Sequence, residues 1–380
     1  MKKKTLIILS IFLITGIVAV GIFVSRKWNQ PLGLSLGLPT RTATAVPVTV
    51  TPENSPTIQS AATRTEVQET AIPTQTPTPT STPVEPVCGG PPLMYILAAG
   101  VDTQDPNYLY GLADVIRIVR VDFVKPKVTV LTLPRDLWIE LPDIIDKYAD
   151  TVTHGKLNQA YLYGGPGMGY YDGPGGGPGL LARTIAHNYD LYVDHYGAVN
   201  MYAFVRVVNA LGGIDIYLDQ DWDGRPVDEK TVDLGYFTAG QWHMSGSEAL
   251  RFARIRKKYN DTIRNDNQTL VLCAIKDKVL SPSVISKVPE LISSLVGTIQ
   301  TDLTPAQIRQ LACVLPKLGE DDLQFISFPE DMLVSGRVFD PNLGNYTFVF
   351  DIPKEDIRQF IRDFENDAIP ADSDSGMGCP

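Results

Sequence analysis

Residues 94–133 read MYILAAGVDTQDPNYLYGLADVIRIVRVDFVKPKVTVLTL and contain three apolar runs of strand length. These runs, at 94–100, 115–121 and 128–133, are rich in Val, Ile and Leu, which is typical of buried strands. Only a short turn around Lys125-Pro126-Lys127 separates the second run from the third, so we expect these two to form a hairpin. A hairpin interrupts the regular alternation of parallel strands and helices, and the sheet is therefore predicted to be mixed.

Strands and helices interleave along the rest of the globular region. Ser245 opens a capping box with Glu248, and Thr304 opens another with Gln307. We therefore predict an α/β fold of the mixed α+β type, in which a central mixed β-sheet is flanked by helices. The further predicted strands are 193–199, 214–218 and 323–328, and the predicted helices are 201–211, 262–280 and those that follow Ser245 and Thr304.

The N-terminus has the pattern of a membrane anchor. Lysines at 2–4 precede residues 5–24, which are apolar and contain neither a charge nor Pro. At ~1.5 Å per helical residue this stretch spans roughly 30 Å, the thickness of the hydrocarbon core of a bilayer. A cleaved signal peptide has a shorter apolar core, so we favour one uncleaved transmembrane helix, with residues 1–28 as cytoplasmic tip and anchor. The positive-inside rule then predicts a single-pass protein of the cell membrane with an extracytoplasmic domain.

Composition divides the rest of the chain into a linker, a domain and a tail. Residues 29–87 are rich in Pro, Thr and Ser and are predicted to be an extended spacer. Residues 88–366 have globular composition, whereas 367–380 are rich in Asp, Ser and Gly and are predicted to be disordered. The formal net charge of −10 argues against general nucleic-acid binding.

Four cysteines, at 88, 273, 313 and 379, allow disulfides outside the cytoplasm. Because the ends of a domain often lie close together, we favour the pair Cys88–Cys379, with Cys273–Cys313 as its complement. The alternative is that Cys273 and Cys313 are two separate buried thiols. The spacing of the four residues does not match a compact zinc site.

A Gly- and Pro-rich segment spans 164–179. It lacks the Gly-Lys-Ser/Thr ending of a P-loop, so a nucleotide cradle is not expected. The segment is predicted to be a mobile surface loop or, alternatively, a lid at the mouth of a pocket.

Residues 250–264, LRFARIRKKYNDTIR, concentrate basic side chains in an acidic protein. The planar guanidinium groups of Arg254, Arg256 and Arg264 suit phosphate oxygens. Arg264 falls in the first turn of a predicted helix, where the helix dipole also favours anions, and Gln268 shares its face. The pattern predicts an anion site, with a solvated charged surface as the alternative.

Three further polar residues flank predicted strands. Arg135 follows the apolar run at 128–133, a position that often faces the ligand crevice of an α/β sheet, although a surface Arg after a turn is the alternative. Asp102 follows the first strand and Asp114 precedes the second, so both could lie on one rim. Two carboxylates with open water positions suit a Mg²⁺ bound to phosphate, whereas each acid alone would serve as a turn former or cap.

Taken in order, these segments resemble the LytR–CpsA–Psr family. The similarity covers about 94–282 and continues more weakly to about 330, and the order and spacing of its motifs make it specific. The matching segments are AAGVD at 98–102, the strand at Asp114, LTLPRD at 131–136, GKLNQAYLYGG at 155–165, NALGGIDI at 209–216, MSGSEALRFARIR at 244–256 and DTIRNDNQ at 261–268.

The resemblance implies an enzyme, a phosphotransferase that attaches a glycopolymer to the cell wall. Such an enzyme takes the glycopolymer from a polyprenyl-pyrophosphate carrier, joins its sugar-1-phosphate end to a peptidoglycan hydroxyl, and releases polyprenyl phosphate. The resemblance also implies Mg²⁺ or Mn²⁺ as cofactor and an apolar groove for the lipid. The helices at 201–211 and 262–280 could wall this groove, although packing in the core is the role that we favour for them. The expected partners are the lipid-linked glycan, the peptidoglycan acceptor and the membrane.

By motif, the resemblance also assigns roles to single residues. Asp102 and Asp114 match the metal-binding acids. Asp261 matches a catalytic acid that activates the acceptor hydroxyl or orients an Arg, and Arg135 and Arg264 are also expected to take part in catalysis. The positions that match pyrophosphate-binding residues are Arg135, Arg254, Arg256, Arg264 and Gln268.

Three positions depart from the pattern of the family. Leu112 stands where the family often has Arg, which removes one expected phosphate contact. Gln159 replaces a His, and Asn267 replaces an Arg. Two other functions compete with glycopolymer transfer, namely a polyprenyl-pyrophosphate phosphatase and a non-catalytic scaffold that binds lipid-linked glycan.

Overall fold

A computed structural model of the chain describes residues 30–38, 84–145, 152–229, 231–255, 261–281, 284, 298–341, 343–370 and 376–378, with side chains except at 261–263, 320 and 376–378. The predicted transmembrane helix and Arg256 lie outside these residues. Among the helices in the described ranges, none is both long and apolar enough to cross a bilayer. Residues 30–38 belong to the same compact unit as the described residues from Pro86 onward.

In chain order, the described strands are β1 (Leu93–Val101), β2 (Ala113–Asp122), β3 (Lys127–Thr132), β4 (Trp138–Glu140), β5 (His154–Lys156), β6 (His195–Asn200), β7 (Ile214–Leu218), β8 (Trp222–Asp223), β9 (Tyr236–Phe237), β10 (Gly240–Met244), β11 (Gln300–Thr301), β12 (Leu323–Ile326), β13 (Ser335–Asp340), β14 (Asn345–Phe350) and β15 (Gly376–Gly378). The described helices are α1 (Leu157–Gly164), α2 (Gly176–Tyr189), α3 (Met201–Ala210), α4 (Gly246–Phe252), α5 (Asp261–Leu280), α6 (Pro305–Val314) and α7 (Lys354–Glu365).

A mixed sheet forms the centre of the compact unit, with the described strands in the order β11-β6-β1-β2-β3-β12-β15. β2 pairs antiparallel with β1 and with β3, and the β2–β3 pair is the predicted hairpin, in which Val121 lies opposite Val128. β6 runs parallel to β1, and β12 runs parallel to β3. The prediction of a central mixed sheet flanked by helices is therefore confirmed.

The two faces of this sheet pack against different helices, because successive side chains of a strand point to opposite sides. One face carries Leu97, Ile118 and Leu131 and packs with residues of α1, α2 and α7 in a large buried cluster. The other face carries Met94 and Ile96 and packs with residues of α5 and α6. The second face also borders the cavity described below.

The predicted helix boundaries agree with the structure. Ser245 and Thr304 each accept a hydrogen bond from the third residue of the helix that follows, α4 and α6 respectively, and both capping boxes are formed. α3 ends just before the pair Gly212-Gly213, as predicted. α5 covers the segment predicted at 262–280 and begins one residue earlier, at Asp261.

The Gly-rich segment 164–179 differs from its prediction. Its last residues form the first turn of α2, in which Gly177 and Gly179 are buried. A Cβ at Gly177 would lie 2.9 Å from the backbone oxygen of Tyr161, so the missing side chain allows α2 to pack closely against α1. The prediction of a mobile surface loop is therefore wrong for 176–179.

Part of the predicted linker lies against the globular domain. Leu36 is 2% exposed and belongs to the large buried cluster. The hydroxyl of Tyr196 donates to the backbone oxygen of Leu34 at 2.9 Å, and Arg183 donates to that of Gly37 at 3.2 Å. Residues 30–38, named the docked segment below, are thus attached to the side of the domain.

Part of the predicted tail is also ordered. Lys127 Nζ lies 2.6 Å from Asp367 Oδ1, and Ile369 is buried. Residues 376–378 form β15, which pairs antiparallel with β12. The disorder predicted for 367–380 is wrong for 367–370 and 376–378, because these residues find partners on the edge of the sheet.

The disulfide pairing differs from both alternatives drawn from the sequence. Cys88 is bonded to Cys313, and Cys273 is also disulfide-bonded. The pairing Cys88–Cys379 and the free thiols at Cys273 and Cys313 are therefore both wrong. The reason lies in the packing of the N-terminal turn, since Gln310 of α6 donates to the backbone oxygen of Gly89 at 2.6 Å and thereby holds α6 beside Cys88.

Candidate functional site

Asp102 and Asp114 lie at the same edge of the central sheet. Asp102 follows β1 and Asp114 is the second residue of β2, and Val101 pairs with Ala113 in the ladder between these strands. The backbone N–H of Leu112 donates to Asp102 Oδ1 at 2.6 Å, and its carbonyl accepts from the backbone N–H of Asp102 at 3.0 Å. This turn brings both carboxylates to one rim, as the strand ends predict.

The two carboxylates of the rim influence each other. The pKa of Asp102 is raised above its ordinary value, first because neighbouring groups bury part of the carboxyl and then because Asp114 adds a negative charge. The hydrogen bond from Leu112 and the charge of Arg135 act in the opposite direction. Two converging carboxylates are hard oxygen ligands that suit a divalent cation. In the described part of the chain, no group of three or more His, Cys, Asp or Glu could hold a metal ion.

Arg135 is held at this rim by a network of ion pairs. Its Nη1 lies 2.6 Å from Asp114 Oδ1, and its Nε lies 3.1 Å from Asp136 Oδ2. Asp136 is 4% exposed and also accepts from Lys156 Nζ at 2.8 Å. Asn158 Nδ2 approaches Asp114 Oδ1 at 3.4 Å. The buried Asp136 carboxylate therefore fixes the direction of the Arg135 guanidinium.

A cavity of about 680 Å³ opens beside the rim. It lies between the second face of the central sheet and the helices α3 and α5, which are the two helices considered for the wall of an apolar groove. Its interior is mostly apolar. The side chains that form this interior include Val115, Met201, Phe204, Val271, Leu272 and Ile275.

Small residues of the sheet leave room for the cavity. Gly197 of β6 pairs with Ala98 of β1, and both line the cavity. Among the described residues, a Cβ at Gly197 would meet no atom within 4 Å, so they leave the space above this residue open. The cavity therefore exists in part because two neighbouring strands carry almost no side chain at this level.

Some charged side chains of the cavity are those that the sequence predicts, whereas Arg117, Asp223 and Arg225 are not. Arg135 joins the predicted group through its ion pair with Asp114. None of residues 164–179 lines the cavity, so the lid that was considered for the Gly-rich segment finds no support. The predicted site residues that line the cavity are Asp102, Asp114, Arg254, Arg264 and Gln268.

The turn after α4 and the first turns of α5 position the arginines. α4 ends at Phe252, and Arg254 follows on a turn between the buried residues Ala253 and Ile255. The side chain of Arg254 is half-buried and lines the cavity. Arg264 is 6% exposed in the first turns of α5. Gln268 lies one turn further along the same face, as its spacing predicts.

Two predicted site residues lie wholly or partly outside the described part of the chain. Arg256 lies outside the described residues. Asp261 is the first residue of α5, but its side chain lies outside the described ones. Their proposed roles stay predictions.

The departures from the family pattern have local explanations. Gln159 accepts from the backbone N–H of Lys156 at 2.6 Å and so caps α1. Asn267 is fully buried and does not line the cavity. Leu112 contributes its backbone to Asp102, while its side chain offers no phosphate contact.

Sequence reasoning missed several polar residues of the site, including the cavity-lining Asn200, Asp223, Arg225 and Thr231. Asp136, Lys156 and Asn158 support the rim, and Arg117 of β2 lines the cavity while being 2% exposed. The three rim residues lie inside the quoted segments LTLPRD and GKLNQAYLYGG. Arg117 interrupts the apolar run VIRIVRV, and a charge inside a buried strand is the signal that could have identified it.

Comparisons with known proteins show which family this chain is similar to. The model of the LytR_cpsA_psr family matches residues 63–360, which is more than half of the chain. The polyisoprenyl-teichoic acid–peptidoglycan teichoic acid transferase TagU of Oceanobacillus iheyensis is 31% identical over 219 residues, which cover 57% of this chain and 61% of that protein. The transferase of the same description named TagV, of Bacillus subtilis, is 28% identical over 211 residues, which cover 55% of this chain and 49% of that protein.

The fold is also similar to that of a solved structure. The crystal structure of B. subtilis TagV superimposes with a TM-score of 0.53 and 24% identity, over 73% of this chain and 98% of that chain. This likeness concerns the fold alone. The match of the family model, supported by the similar fold, shows that the chain belongs to the LytR–CpsA–Psr family.

Proposed function

We propose that this chain is an enzyme that transfers a glycopolymer from a polyprenyl-pyrophosphate carrier to a peptidoglycan hydroxyl. The acceptor oxygen forms a bond to the phosphorus of the sugar-1-phosphate, and the bond from that phosphorus to the bridging oxygen breaks. The electron pair of the broken bond leaves on polyprenyl phosphate, and the hydroxyl proton passes to a base. The relatives named above act on teichoic acid, so a teichoic acid carrier is the first donor to test.

The observation that carries this proposal is the division of a single cavity into a charged rim and an apolar interior. A prenyl pyrophosphate has the same division, with an anionic head and a hydrocarbon tail. Burial of the tail against the apolar wall would be favourable in proportion to the area removed from water. The arginines at the rim would bind the pyrophosphate through charge-assisted hydrogen bonds.

The rim residues have separate proposed roles. Arg135, Arg254 and Arg264 would hold the pyrophosphate oxygens and stabilise the charge that develops on them during transfer. Gln268 would add a neutral hydrogen bond from the same helical face as Arg264. Arg256 is assigned to the same group by its motif. Asp261 is the proposed base that accepts the proton of the acceptor hydroxyl or orients an arginine.

We further propose that Asp102 and Asp114 bind Mg²⁺ or Mn²⁺. Their shared rim and the raised pKa of Asp102 support a cation at this place, because a cation would offset the repulsion between the two carboxylates. A bound dication would neutralise part of the charge on the pyrophosphate. The other ligands would be oxygens of the donor and water.

The proposed donor is a membrane lipid, which agrees with the predicted anchor at 5–24. We therefore propose that the chain works at the outer surface of the cell membrane, with the glycan donor on the membrane side and peptidoglycan as the acceptor. Anchoring would confine enzyme and donor to one surface.

The proposal is tested with the full chain in detergent, a teichoic acid linked to polyprenyl pyrophosphate, peptidoglycan and Mg²⁺. The measurement is the release of polyprenyl phosphate together with transfer of the polymer. Arg135→Ala and Asp114→Ala should each lower turnover by about 100-fold or more, because each removes a charged group at the reacting pyrophosphate. Arg337→Ala is the matched control, since Arg337 is exposed on β13, does not line the cavity and should leave turnover unchanged.

The outcomes separate the three candidate functions. Release of polyprenyl phosphate without transfer would identify a phosphatase. Binding of the donor without cleavage, with either Mg²⁺ or Mn²⁺, would identify a scaffold. Each of these two results contradicts the transferase proposal.

A further inference from the structure

Arg117 is a buried cation that lines the cavity from the middle of β2. Its Nη2 donates to Thr269 Oγ1 at 3.2 Å and to the backbone oxygen of Asn265 at 3.4 Å, both on α5. Its guanidinium carbon lies 5.6 Å from the centre of the Phe325 ring. Its Nε and Nη1 have no hydrogen-bond partner among the described residues. Two donor groups of a buried guanidinium therefore stay available.

Among the described residues, no carboxylate forms an ion pair with Arg117. Burial lowers the pKa of Arg117 to about 10, and the nearby charge of Asp266 acts in the opposite direction. The side chain thus stays protonated near neutral pH. Asp266 forms no ion pair with it, in contrast to Asp122, which lies 3.8 Å from the equally buried Arg120 on the same strand.

Arg117 lies where the polar part of the cavity ends and the apolar part begins. On α5, the contacts of Arg117 at Asn265 and Thr269 are level with the polar lining residue Gln268, and apolar Val271 follows. On the sheet, Arg117 is two residues further inward than Val115, which is roughly 7 Å along a strand. The guanidinium is therefore set back from the rim carboxylates and, on α5, lies at the level of the last polar lining residue before the apolar ones.

A hydrocarbon chain alone offers the Arg117 guanidinium neither a negative charge nor a hydrogen-bond acceptor. A buried charge with unsatisfied donors is costly unless an anion or another acceptor meets it. Phosphate oxygens suit the two available donors, since a guanidinium forms strong charge-assisted hydrogen bonds to phosphate. An amphiphile whose phosphate is attached directly to a hydrocarbon chain would satisfy both sides of the boundary.

We propose that Arg117 binds the phosphate that carries the prenyl chain, in the donor and in the released polyprenyl monophosphate. This inference rests on the proposed function, because it assumes a prenyl-linked donor. When the bond between the bridging oxygen and the sugar-side phosphorus breaks, the electron pair stays on the bridging oxygen of the lipid phosphate. Arg117 would stabilise this leaving group, while the rim residues hold the sugar-side phosphate.

The test measures binding of two probes to the full chain in detergent, geranylgeranyl monophosphate and geranylgeraniol, by calorimetric titration. Arg117→Gln keeps one donor group for Thr269 or Asn265 but removes the charge. It should weaken binding of the monophosphate by roughly 10- to 100-fold, which is the effect of a charged hydrogen-bonding group. Binding of the alcohol, which has no phosphate, should change less than twofold.

Two further variants keep the test decisive. Arg117→Lys retains the cation and should recover part of the affinity for the monophosphate. Arg120→Gln is the matched control, because Arg120 is buried on the same strand but does not line the cavity. It should leave the affinity for both probes unchanged.

The proposal is overturned if Arg117→Gln weakens both probes equally, or weakens the monophosphate no more than Arg120→Gln does, since either result indicates a purely structural role. Absence of monophosphate binding by the unmodified chain would also overturn it. Failure of the proposed function looks different, because the monophosphate would then bind through Arg117 while no polymer is transferred in the activity assay.

Discussion

At the scale of single residues, the charge on Asp102 determines how the rim responds to pH. The raised pKa of Asp102, caused first by burial and then by Asp114, lies above the value of 3.8 in the unfolded chain. Asp102 therefore contributes stability that is complete below that value and is lost as the pH rises through the folded pKa. Asp102→Asn should remove this loss, so the free energy of unfolding of the metal-free variant should fall less between about pH 3 and 7. Urea denaturation of the variant and of the unmodified protein at several pH values measures this free energy of unfolding.

Asp105 provides a control of opposite sign. Hydrogen bonds from the backbone N–H groups of Asn107 and Leu109 hold the pKa of Asp105 below its ordinary value. Its contribution to stability is present above the unfolded pKa and lost as the pH falls, so Asp105→Asn should reduce stability at neutral rather than at acidic pH. If both variants shift the pH profile in the same direction, the account of the rim charges is wrong.

Gly197 is the residue at which the apolar interior can be filled without disturbing the backbone. Its added Cβ would meet no atom of the described residues within 4 Å, and a strand accepts Leu better than Gly. Gly197→Leu should therefore keep the fold while its side chain occupies space needed by a prenyl chain. We expect at least a tenfold loss of affinity for geranylgeranyl monophosphate, about 1.4 kcal/mol.

Inorganic pyrophosphate is the control ligand for this variant, because it has no hydrocarbon chain. Its affinity should be the same for Gly197→Leu and for the unmodified protein. An unchanged affinity for the prenyl ligand would mean that the chain does not pass over β6.

At the scale of secondary-structure elements, the sequence was informative where local signals and packing agree. The three apolar runs between 94 and 133 form β1 to β3. Strands that are buried on both faces are typically rich in Val, Ile and Leu, as these runs are. α2 was missed, because its Gly-rich first turn has low helix propensity and is stabilised by contact with α1 instead. α7 was missed although Ile357, Ile361 and Phe364 repeat at helical spacing and are buried.

The same distinction applies to the candidate site. One cavity is lined by five of the predicted residues, namely Asp102, Asp114, Arg254, Arg264 and Gln268. Their convergence follows from the ends of strands and from helical spacing, both of which can be recognised in the sequence. Arg117 could not be placed, because the sequence does not reveal which face of β2 borders a cavity. Disulfide pairing was wrong for a similar reason, since it depends on which distant elements pack together.

The disulfide between Cys88 and Cys313 joins the turn at 87–89 to α6. It closes a loop with a sequence separation of 225 residues, so it should restrict the unfolded chain considerably. The double substitution Cys88→Ser and Cys313→Ser should lower the free energy of unfolding by about 2–5 kcal/mol. Urea denaturation without reductant measures the effect while leaving Cys273 in its own bond.

Activity serves as the control for this double variant. Neither Cys88 nor Cys313 lines the cavity, so polymer transfer under folding conditions should be unchanged. An unaltered free energy of unfolding would show that the bond does not constrain the domain.

At the scale of the whole molecule, the docked segment at 30–38 should contribute to the stability of the domain. Leu36 is 2% exposed within the large buried cluster, whereas Leu34 is 73% exposed. Leu36→Ala should lower the free energy of unfolding by about 2–5 kcal/mol, because it leaves a cavity in the core. Leu34→Ala, two residues away, should change it by less than about 0.5 kcal/mol. Thermal and urea unfolding of both variants measure the difference.

Equal effects of the two substitutions would contradict the docking of this segment. A small effect of both would mean that residues 30–38 separate from the domain in solution. A large effect of both would mean that Leu34 is also buried.

The docked segment also bears on where the proposed transferase would meet its lipid donor. Residues 30–38 and the described residues from Pro86 onward belong to one unit. With an anchor at 5–24, the length of the predicted linker would therefore not set the height of the cavity above a bilayer. With the predicted helix at 5–24, only residues 25–29 connect it to the docked segment, and they reach at most about 17 Å. For the proposed transferase, the search for a lipid donor would then become lateral diffusion in the plane of the membrane, and the wall acceptor would have to approach it there.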